Sequence, residues 1–243
     1  MRGVKRRGRE SRPASMERSA LIPWVSIDTA PVPGGGELRL KQRGSEFSIM
    51  LGANELMNSR LSGSEEALAT LSCDMISGRP HPHVLIGGLG MGFTLRAALG
   101  KLGPDARITV AELVPAVVAW ARGPMAPVFA GSLADKRVEV RVGDVGDIIR
   151  AGRGAYDAIL LDVDNGPDGL TRESNDALYD ARGLSAARAA LGPGGVLSVW
   201  SSEPDRAFTQ RLRKAGFAVE EKSVRARTTG GGARHTIWLA KKA

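Results

Sequence analysis

A short stretch that joins an apolar run to a cluster of glycines decides the fold: Val84-Leu85-Ile86-Gly87-Gly88-Leu89-Gly90-Met91-Gly92. The apolar residues predict a buried strand, and the apolar pattern of residues 93–102 predicts a helix directly after the glycines. Glycines let the backbone turn sharply and approach a ligand, and the N-terminus of a helix offers unpaired N–H groups. The stretch therefore indicates a turn that can hold a nucleotide-like ligand. A glycine turn with a purely structural role is the alternative.

Strand and helix patterns alternate from this stretch toward the C-terminus. Strands are predicted at 84–86, 108–112, 138–142, 158–161 and 195–200, and helices at 93–102, 115–122, 145–150, 177–191 and 205–215. Such alternation is typical of a doubly wound parallel sheet with helices on both faces. The last two runs, 217–224 and 236–240, have no helix between them and predict antiparallel pairing. We expect an α/β, Rossmann-like, mostly parallel seven-stranded sheet with an antiparallel last strand.

The residues before position 81 predict a smaller unit. Short β-like runs at 24–28, 37–43 and 46–51, separated by prolines and Gly34-Gly35-Gly36, indicate a small N-terminal β-hairpin. Ser64, followed by two glutamates and regularly spaced apolar residues, predicts a capped helix that ends near Gly78. We divide the chain into a basic tail (1–18), an N-terminal β-hairpin and helix (19–80) and a ligand-binding domain (81–243).

The net charge of +8 is concentrated at the N-terminus. Residues 1–18 hold seven basic and two acidic side chains, which contribute +5 of the total. A basic segment with so few apolar residues is expected to be disordered, and an arm that contacts RNA is the alternative. No apolar run of about 18 residues and no signal peptide are present, so we expect a cytoplasmic protein that does not enter a membrane. The lone Cys73 is expected to be buried and excludes an internal disulfide.

Carboxylates follow the second and third strands of the predicted domain. Glu112 stands 20 residues after Gly92, at the carboxyl end of the strand beside the glycine loop, where it can accept both ribose hydroxyls of an adenosine. An exposed glutamate at a strand end is the alternative. Asp144, after Gly143, could accept the exocyclic amine of adenine, but aspartate is also a favoured helix cap. The spacing predicts an adenosine site.

Polar residues also follow the fourth strand: Asp162, Asp164 and Asn165. The carboxyl ends of parallel strands meet at one edge of an open sheet, so these side chains are expected in the ligand crevice, at the reacting end of the ligand. One of the two aspartates, Asp164 in preference to Asp162, could instead cap the turn. No group of histidines and cysteines has metal-ligand spacing, so we expect no metal.

Residues 83–201 resemble the class I S-adenosylmethionine-dependent methyltransferase fold, and most closely its spermidine synthase-like branch of polyamine aminopropyltransferases. The matching segments are Gly88-Leu89-Gly90-Met91-Gly92 with Leu95-Arg96, Val110-Ala111-Glu112-Leu113, Val138-Glu139-Val140-Arg141-Val142-Gly143-Asp144, Tyr156-Asp157-Ala158-Ile159-Leu160-Leu161-Asp162 and Leu191-Gly192-Pro193-Gly194-Gly195. The resemblance implies S-adenosylmethionine or its decarboxylated form as the donor. It implies that the glycine loop surrounds the methionine-derived tail, Glu112 the ribose, Asp144 the adenine, and Asp162 the amine or acceptor.

Two departures from the family pattern concern the reaction. Aminopropyltransferases carry an aspartate where this chain has Met91, and a second one three positions after Asp162, where it has Asn165. Neither methionine nor asparagine can act as a general base, and methyl transfer depends less on one. We therefore favour methyl transfer to a small acceptor, with aminopropyl transfer to a polyamine as the alternative. Asp164 could replace the missing carboxylate, although neighbouring side chains on an extended segment point to opposite faces.

Two further classes remain as alternatives. An NAD-dependent oxidoreductase shares the glycine loop and the ribose carboxylate, but it would carry a small residue where Phe93 stands, and it gives Asp144 and the Asp162 cluster no role. A ligand-binding scaffold without catalysis is compatible with the two departures. The acidic crevice predicts an amine or neutral small-molecule acceptor and argues against nucleic acid, except through the basic tail. A homodimer is left open.

Overall fold

The computed structural model describes residues 22–163, 177–227 and 232–243, whose strands form two sheets. The strands are β1 (Val25–Pro31), β2 (Glu37–Arg43), β3 (Glu46–Leu51), β4 (Asn54–Asn58), β5 (His83–Gly87), β6 (Arg107–Glu112), β7 (Val138–Val142), β8 (Tyr156–Leu161), β9 (Leu191–Ser201), β10 (Phe217–Arg225) and β11 (Arg234–Lys242). The α-helices are α1 (Gly63–Met75), α2 (Phe93–Lys101), α3 (Pro115–Arg122), α4 (Ala126–Phe129), α5 (Val145–Ala151), α6 (Ala181–Ala190) and α7 (Arg206–Lys214), and a 3₁₀ helix covers Ser132–Ala134.

The larger sheet has seven strands in the order β10-β11-β9-β8-β5-β6-β7. Strand β5 pairs in parallel with β6 and β8, and parallel pairing continues to β7 and to β9. Strand β11, the last of the chain, is antiparallel to both β9 and β10. The predicted mostly parallel sheet with an antiparallel last strand is therefore confirmed. The chain leaves β5 toward β6 on one side and returns to β8 on the other, so the carboxyl end of β5 lies at a switch point, where open α/β sheets bind ligands.

Apolar side chains cover both faces of this sheet, as parallel pairing requires. Successive residues of β5 alternate between the faces: Val84 and Ile86 pack in the core shared with α1, α2 and α3, and Leu85 packs in the core shared with α5, α6 and α7. Cys73 is buried in the first of these cores, as the sequence predicts. Burial raises the pKa of its thiol to about 12, so the thiol is neutral at physiological pH.

The N-terminal segment is larger than the predicted hairpin. Strands β1 to β4 form a four-stranded antiparallel sheet in sequence order. The fourth strand, Asn54–Asn58, was not predicted because its short polar-flanked sequence has little β character, and it forms by pairing with β3 across a turn at Gly52 with φ +59°. Leu38, Leu40 and Ile49 of this sheet lie in the same core as α1, α2 and α3, so the two sheets pack on a common set of side chains.

Two helices differ from the prediction: α1 in its cap and α6 in its continuity. The N-cap of α1 is Ser62 and makes no side-chain capping bond, whereas Ser64 is buried inside the first turn. Residues 177–179 are helical, but the predicted helix 177–191 is interrupted at Asp180, which caps α6 by accepting a hydrogen bond from the Gly183 N–H. The predicted basic tail, 1–18, lies outside the described residues. Among the helices of the described ranges, none is long and apolar enough to cross a membrane.

Candidate functional site

The glycine loop after β5 bends closely around the carboxyl end of β8. Gly88 adopts φ +91°, and a Cβ at this position would lie 2.3 Å from the backbone oxygen of Asp162, so a glycine is required here. Gly88 and Gly90 line a cavity between the loop and the N-terminal sheet. Gly92 does not line it: Gly92 caps α2 with φ +78°, and a Cβ there would lie 2.4 Å from the ring of Phe129. The third glycine therefore serves the packing of the helix.

Both sheets contribute to the wall of this cavity. The predicted residues that line it follow β5, β6, β7 and β8: Gly88, Gly90, Glu112, Leu113, Gly143, Asp144 and Asp162. The N-terminal sheet and its turns cover the opposite side with Val32, Gly35, Leu38, Leu51, Leu56 and Met57. The result is a mostly apolar cavity with a few carboxylates, which is the usual composition of a small-molecule site.

Glu112 ties the glycine loop to the turn that follows β6. Its Oε2 accepts a hydrogen bond from the Leu89 N–H at 3.0 Å, and its Oε1 accepts one from the Val114 N–H at 2.9 Å. Burial raises the pKa of Glu112, and the surrounding backbone N–H groups oppose that shift because they stabilise the ionised form. The backbone N–H groups of Gly90 and Leu113 also act on this carboxylate, and Glu112 lines the cavity, where a ligand can contact it.

Asp144 is both a helix cap and a cavity residue. Its Oδ1 accepts a hydrogen bond from the Gly146 N–H at 2.7 Å, which caps α5. The capping role that the sequence offered as an alternative is therefore present. Asp144 also lines the cavity. One carboxylate can serve both purposes, because the cap occupies a single oxygen.

Asp162 lies deep in the protein but stays partly accessible because it lines the cavity. Its Oδ2 accepts a hydrogen bond of 2.6 Å from the hydroxyl of Thr94, in the first turn of α2. Burial, followed by the negative charge of Glu65, raises the pKa of Asp162 to about 7, and the Thr94 hydroxyl opposes the shift. A carboxyl that titrates near neutrality can exchange protons with a ligand.

The structure describes only one of the two positions that depart from the family pattern. The side chain of Met91 is 4% exposed and packs in the core, so it does not line the cavity. Asn165 lies outside the described residues, as does Asp164. Sequence reasoning missed Thr94 and the cover provided by the N-terminal sheet. Thr94 stands two residues after Gly92, where a hydroxyl in the first turn of the helix was an available signal.

Comparisons with known proteins agree with the resemblance in the sequence. No protein-family model matches the chain. A curated relative, polyamine aminopropyltransferase 1 of Streptomyces coelicolor, is 33% identical over 150 residues, which are 58% of this chain and 27% of that protein. The aligned part of the chain thus spans less than a third of the length of this relative.

Solved structures share the fold. A spermidine synthase in complex with the transition-state analogue AdoDATO matches 90% of this chain and 72% of its own with a TM-score of 0.70 and 20% identity. The Burkholderia thailandensis 1,6-didemethyltoxoflavin-N1-methyltransferase matches 75% of this chain and 79% of its own with a TM-score of 0.52 and 21% identity. The chain is therefore similar in sequence to polyamine aminopropyltransferases, and it has the fold of spermidine synthases within the wider methyltransferase-like group.

Proposed function

We propose that this chain transfers an aminopropyl group from decarboxylated S-adenosylmethionine to an amine acceptor. The observation that carries the proposal is the charge of the cavity. Its charged residues are Glu112, Asp144 and Asp162, and no lysine or arginine stands among the described residues that line it. A cavity of this charge favours cationic ligands.

The charge of the cavity distinguishes the two donors. S-adenosylmethionine carries a carboxylate beside its ammonium and sulfonium groups, whereas the decarboxylated form carries only the two positive charges. A carboxylate among three acidic side chains has no cationic partner among the described residues that line the cavity, and it would be repelled. The decarboxylated donor avoids this repulsion. The departures at Met91 and Asn165 favoured methyl transfer. The similarity to curated aminopropyltransferases supports aminopropyl transfer from the decarboxylated donor instead.

Each carboxylate has a separate task in this proposal. Glu112 accepts hydrogen bonds from the ribose hydroxyls, and Asp144 accepts one from the adenine amine. The apolar residues of the N-terminal sheet cover the adenosine and exclude water. Asp162 takes a proton from the ammonium group of the acceptor, which leaves a nucleophilic amine.

The donor supplies an electrophilic carbon on its sulfonium sulfur. The lone pair of the free amine forms the new N–C bond as the C–S bond breaks, and the sulfur leaves as the neutral thioether 5′-methylthioadenosine. The new secondary amine keeps its remaining protons as an ammonium, and Asp162 releases the proton that it accepted to solvent, which restores the carboxylate for the next turnover. The pKa of about 7 at Asp162 suits proton acceptance at neutral pH.

Calorimetric titration with the two donors tests the proposal. We expect the decarboxylated donor to bind at least about tenfold more tightly than S-adenosylmethionine, a difference of ~1.4 kcal/mol. A transfer assay with 1,4-diaminobutane should then release 5′-methylthioadenosine. Tighter binding of S-adenosylmethionine, with no release from the decarboxylated donor, would overturn the proposal and restore methyl transfer.

A further inference from the structure

A second carboxylate lies beside Asp162 and has no role in the mechanism above. Glu65 stands in the first turn of α1. The Thr94 hydroxyl lies 2.6 Å from Oδ2 of Asp162 and 3.4 Å from the backbone oxygen of Glu65, so one side chain contacts both residues. The charge of Glu65 is also one of the causes that raise the pKa of Asp162. The two acidic residues are therefore electrostatic neighbours.

A chain of hydrogen bonds connects Glu65 to the last strand. The Ser64 hydroxyl donates to Oε2 of Glu65 at 2.7 Å and lies 2.9 Å from Nδ1 of His235 in β11. Because a serine has one proton to donate, its oxygen accepts the bond from Nδ1–H of His235. The ring of His235 packs edge to face against Trp200, with centroids 4.8 Å apart. Residues from α1, β9 and β11 thus fix the position of Glu65.

Neither Glu65 nor Asp162 is ion-paired with a lysine or arginine in the described parts of the chain. Burial is the largest cause that raises the pKa of each carboxyl. Two neighbouring carboxylates that are removed from water are costly unless they share a proton or a cation neutralises them. Asp162 lines the cavity and Glu65 does not, so a ligand held at Asp162 can supply a cation that neutralises both charges.

We propose that Glu65 is the second negative charge of the acceptor site, and that with Asp162 it selects an acceptor whose reacting end is a protonated amine. This inference rests on the proposed function. Glu65 takes the electrostatic role of the carboxylate that is replaced by Asn165, from a different element of the fold. Ser64 and His235 are positioning residues for it.

Titration with 1,4-diaminobutane at pH 8, in the presence of 5′-methylthioadenosine, tests the role of Glu65. We expect Glu65→Gln to weaken diamine binding at least about tenfold, equal to ~1.4 kcal/mol. Glu65→Asp keeps the charge and should bind more tightly than Glu65→Gln. Glu66→Gln, the neighbouring glutamate in the same helical turn, is the matched control and should leave the affinity within about twofold, or ~0.4 kcal/mol.

Binding of 5′-methylthioadenosine alone reports whether each variant keeps the nucleoside half of the site. Equal diamine affinity of Glu65→Gln and the unmodified protein would overturn the inference, as would the absence of diamine binding to the unmodified protein. Diamine binding that requires Glu65, without aminopropyl transfer, would reject the proposed function and support the amine site. Aminopropyl transfer together with an undiminished diamine affinity of Glu65→Gln would support the proposed function and reject the role of Glu65.

Discussion

The environment of Asp162 differs strongly from water. Its pKa is raised from 3.8 to about 7, first by burial and then by Glu65, with Thr94 opposing. The protonated carboxyl stabilises the folded state, and this contribution is fully present at a pH below the pKa of the unfolded chain. It is lost as the pH rises through the pKa of the folded state. Between these limits the folded state binds the proton more tightly. The free energy of unfolding should therefore fall from pH 5 to pH 8.

Asp162→Asn removes this titration. The free energy of unfolding of the variant minus that of the unmodified protein should increase by at least about 1 kcal/mol from pH 5 to pH 8. The reason is that one unit of pKa shift corresponds to ~1.4 kcal/mol. Urea unfolding of both proteins at the two pH values measures the difference. A stability difference that does not change with pH would show that Asp162 ionises in the folded state as it does in the unfolded chain.

Single residues also show how much of the site was readable from the sequence. Glu112 and Asp162 were placed at strand ends because apolar runs stop at those positions, and the structure brings both to one cavity. Their hydrogen-bond partners were not readable, because the backbone N–H of Leu89 and the hydroxyl of Thr94 come from other turns of the chain. Residue type and spacing predicted where these two carboxylates lie. Their hydrogen bonds and pKa values depend on contacts between distant segments.

At the scale of elements, helix α2 depends on a glycine at its start. Gly92 has φ +78°, and a Cβ there would lie 2.4 Å from the ring of Phe129. Gly92→Ala should lower the free energy of unfolding by about 2 kcal/mol or more, because it adds left-handed strain to the displacement of a buried ring. Urea unfolding measures this effect.

Gly100, in the same helix, provides the control. A Cβ at Gly100 has no atom within 4 Å, and alanine has the higher helix propensity, so Gly100→Ala should leave stability unchanged or raise it by up to ~1 kcal/mol. Equal effects of the two substitutions would contradict the special role of Gly92. Because Gly92 does not line the cavity, its replacement should affect stability more than ligand affinity once the protein is folded.

The accuracy of the predicted elements follows from how each is stabilised. Strands β2 and β3 have the predicted bounds, Glu37–Arg43 and Glu46–Leu51, because β-like runs between turn residues define them locally. Strand β4 was missed because it depends on cross-strand pairing with β3. The start of α1 was misplaced because Ser64 makes a partly buried hydrogen bond with His235, which a local pattern does not show. Contacts between distant segments do not appear in a local pattern.

At the scale of the molecule, the large sheet could be predicted and its relation to the small sheet could not. Alternating strands and helices restrict an α/β topology strongly, because parallel crossovers have one hand and ligands bind at the switch point. No comparable rule predicts that the four-stranded sheet lies opposite the loops that follow β5 and β6. The bond between residues 64 and 235, which are 171 positions apart, also depends on the complete fold.

The shared cavity predicts that ligand binding couples the two sheets. Leu51 and Leu56 of the N-terminal sheet face the same cavity as Gly88 and Glu112 of the large sheet. A nucleoside between them adds apolar contacts to both walls, and a ligand that binds only the folded state suppresses the openings that expose amides. Saturation with 5′-methylthioadenosine should therefore slow hydrogen exchange in β3, in β4 and in the loop after β5 together. Strand β10, at the far edge of the large sheet, should change least. Protection confined to the glycine loop would mean that the N-terminal sheet does not cover the ligand, and the proposed site would then be open on that side.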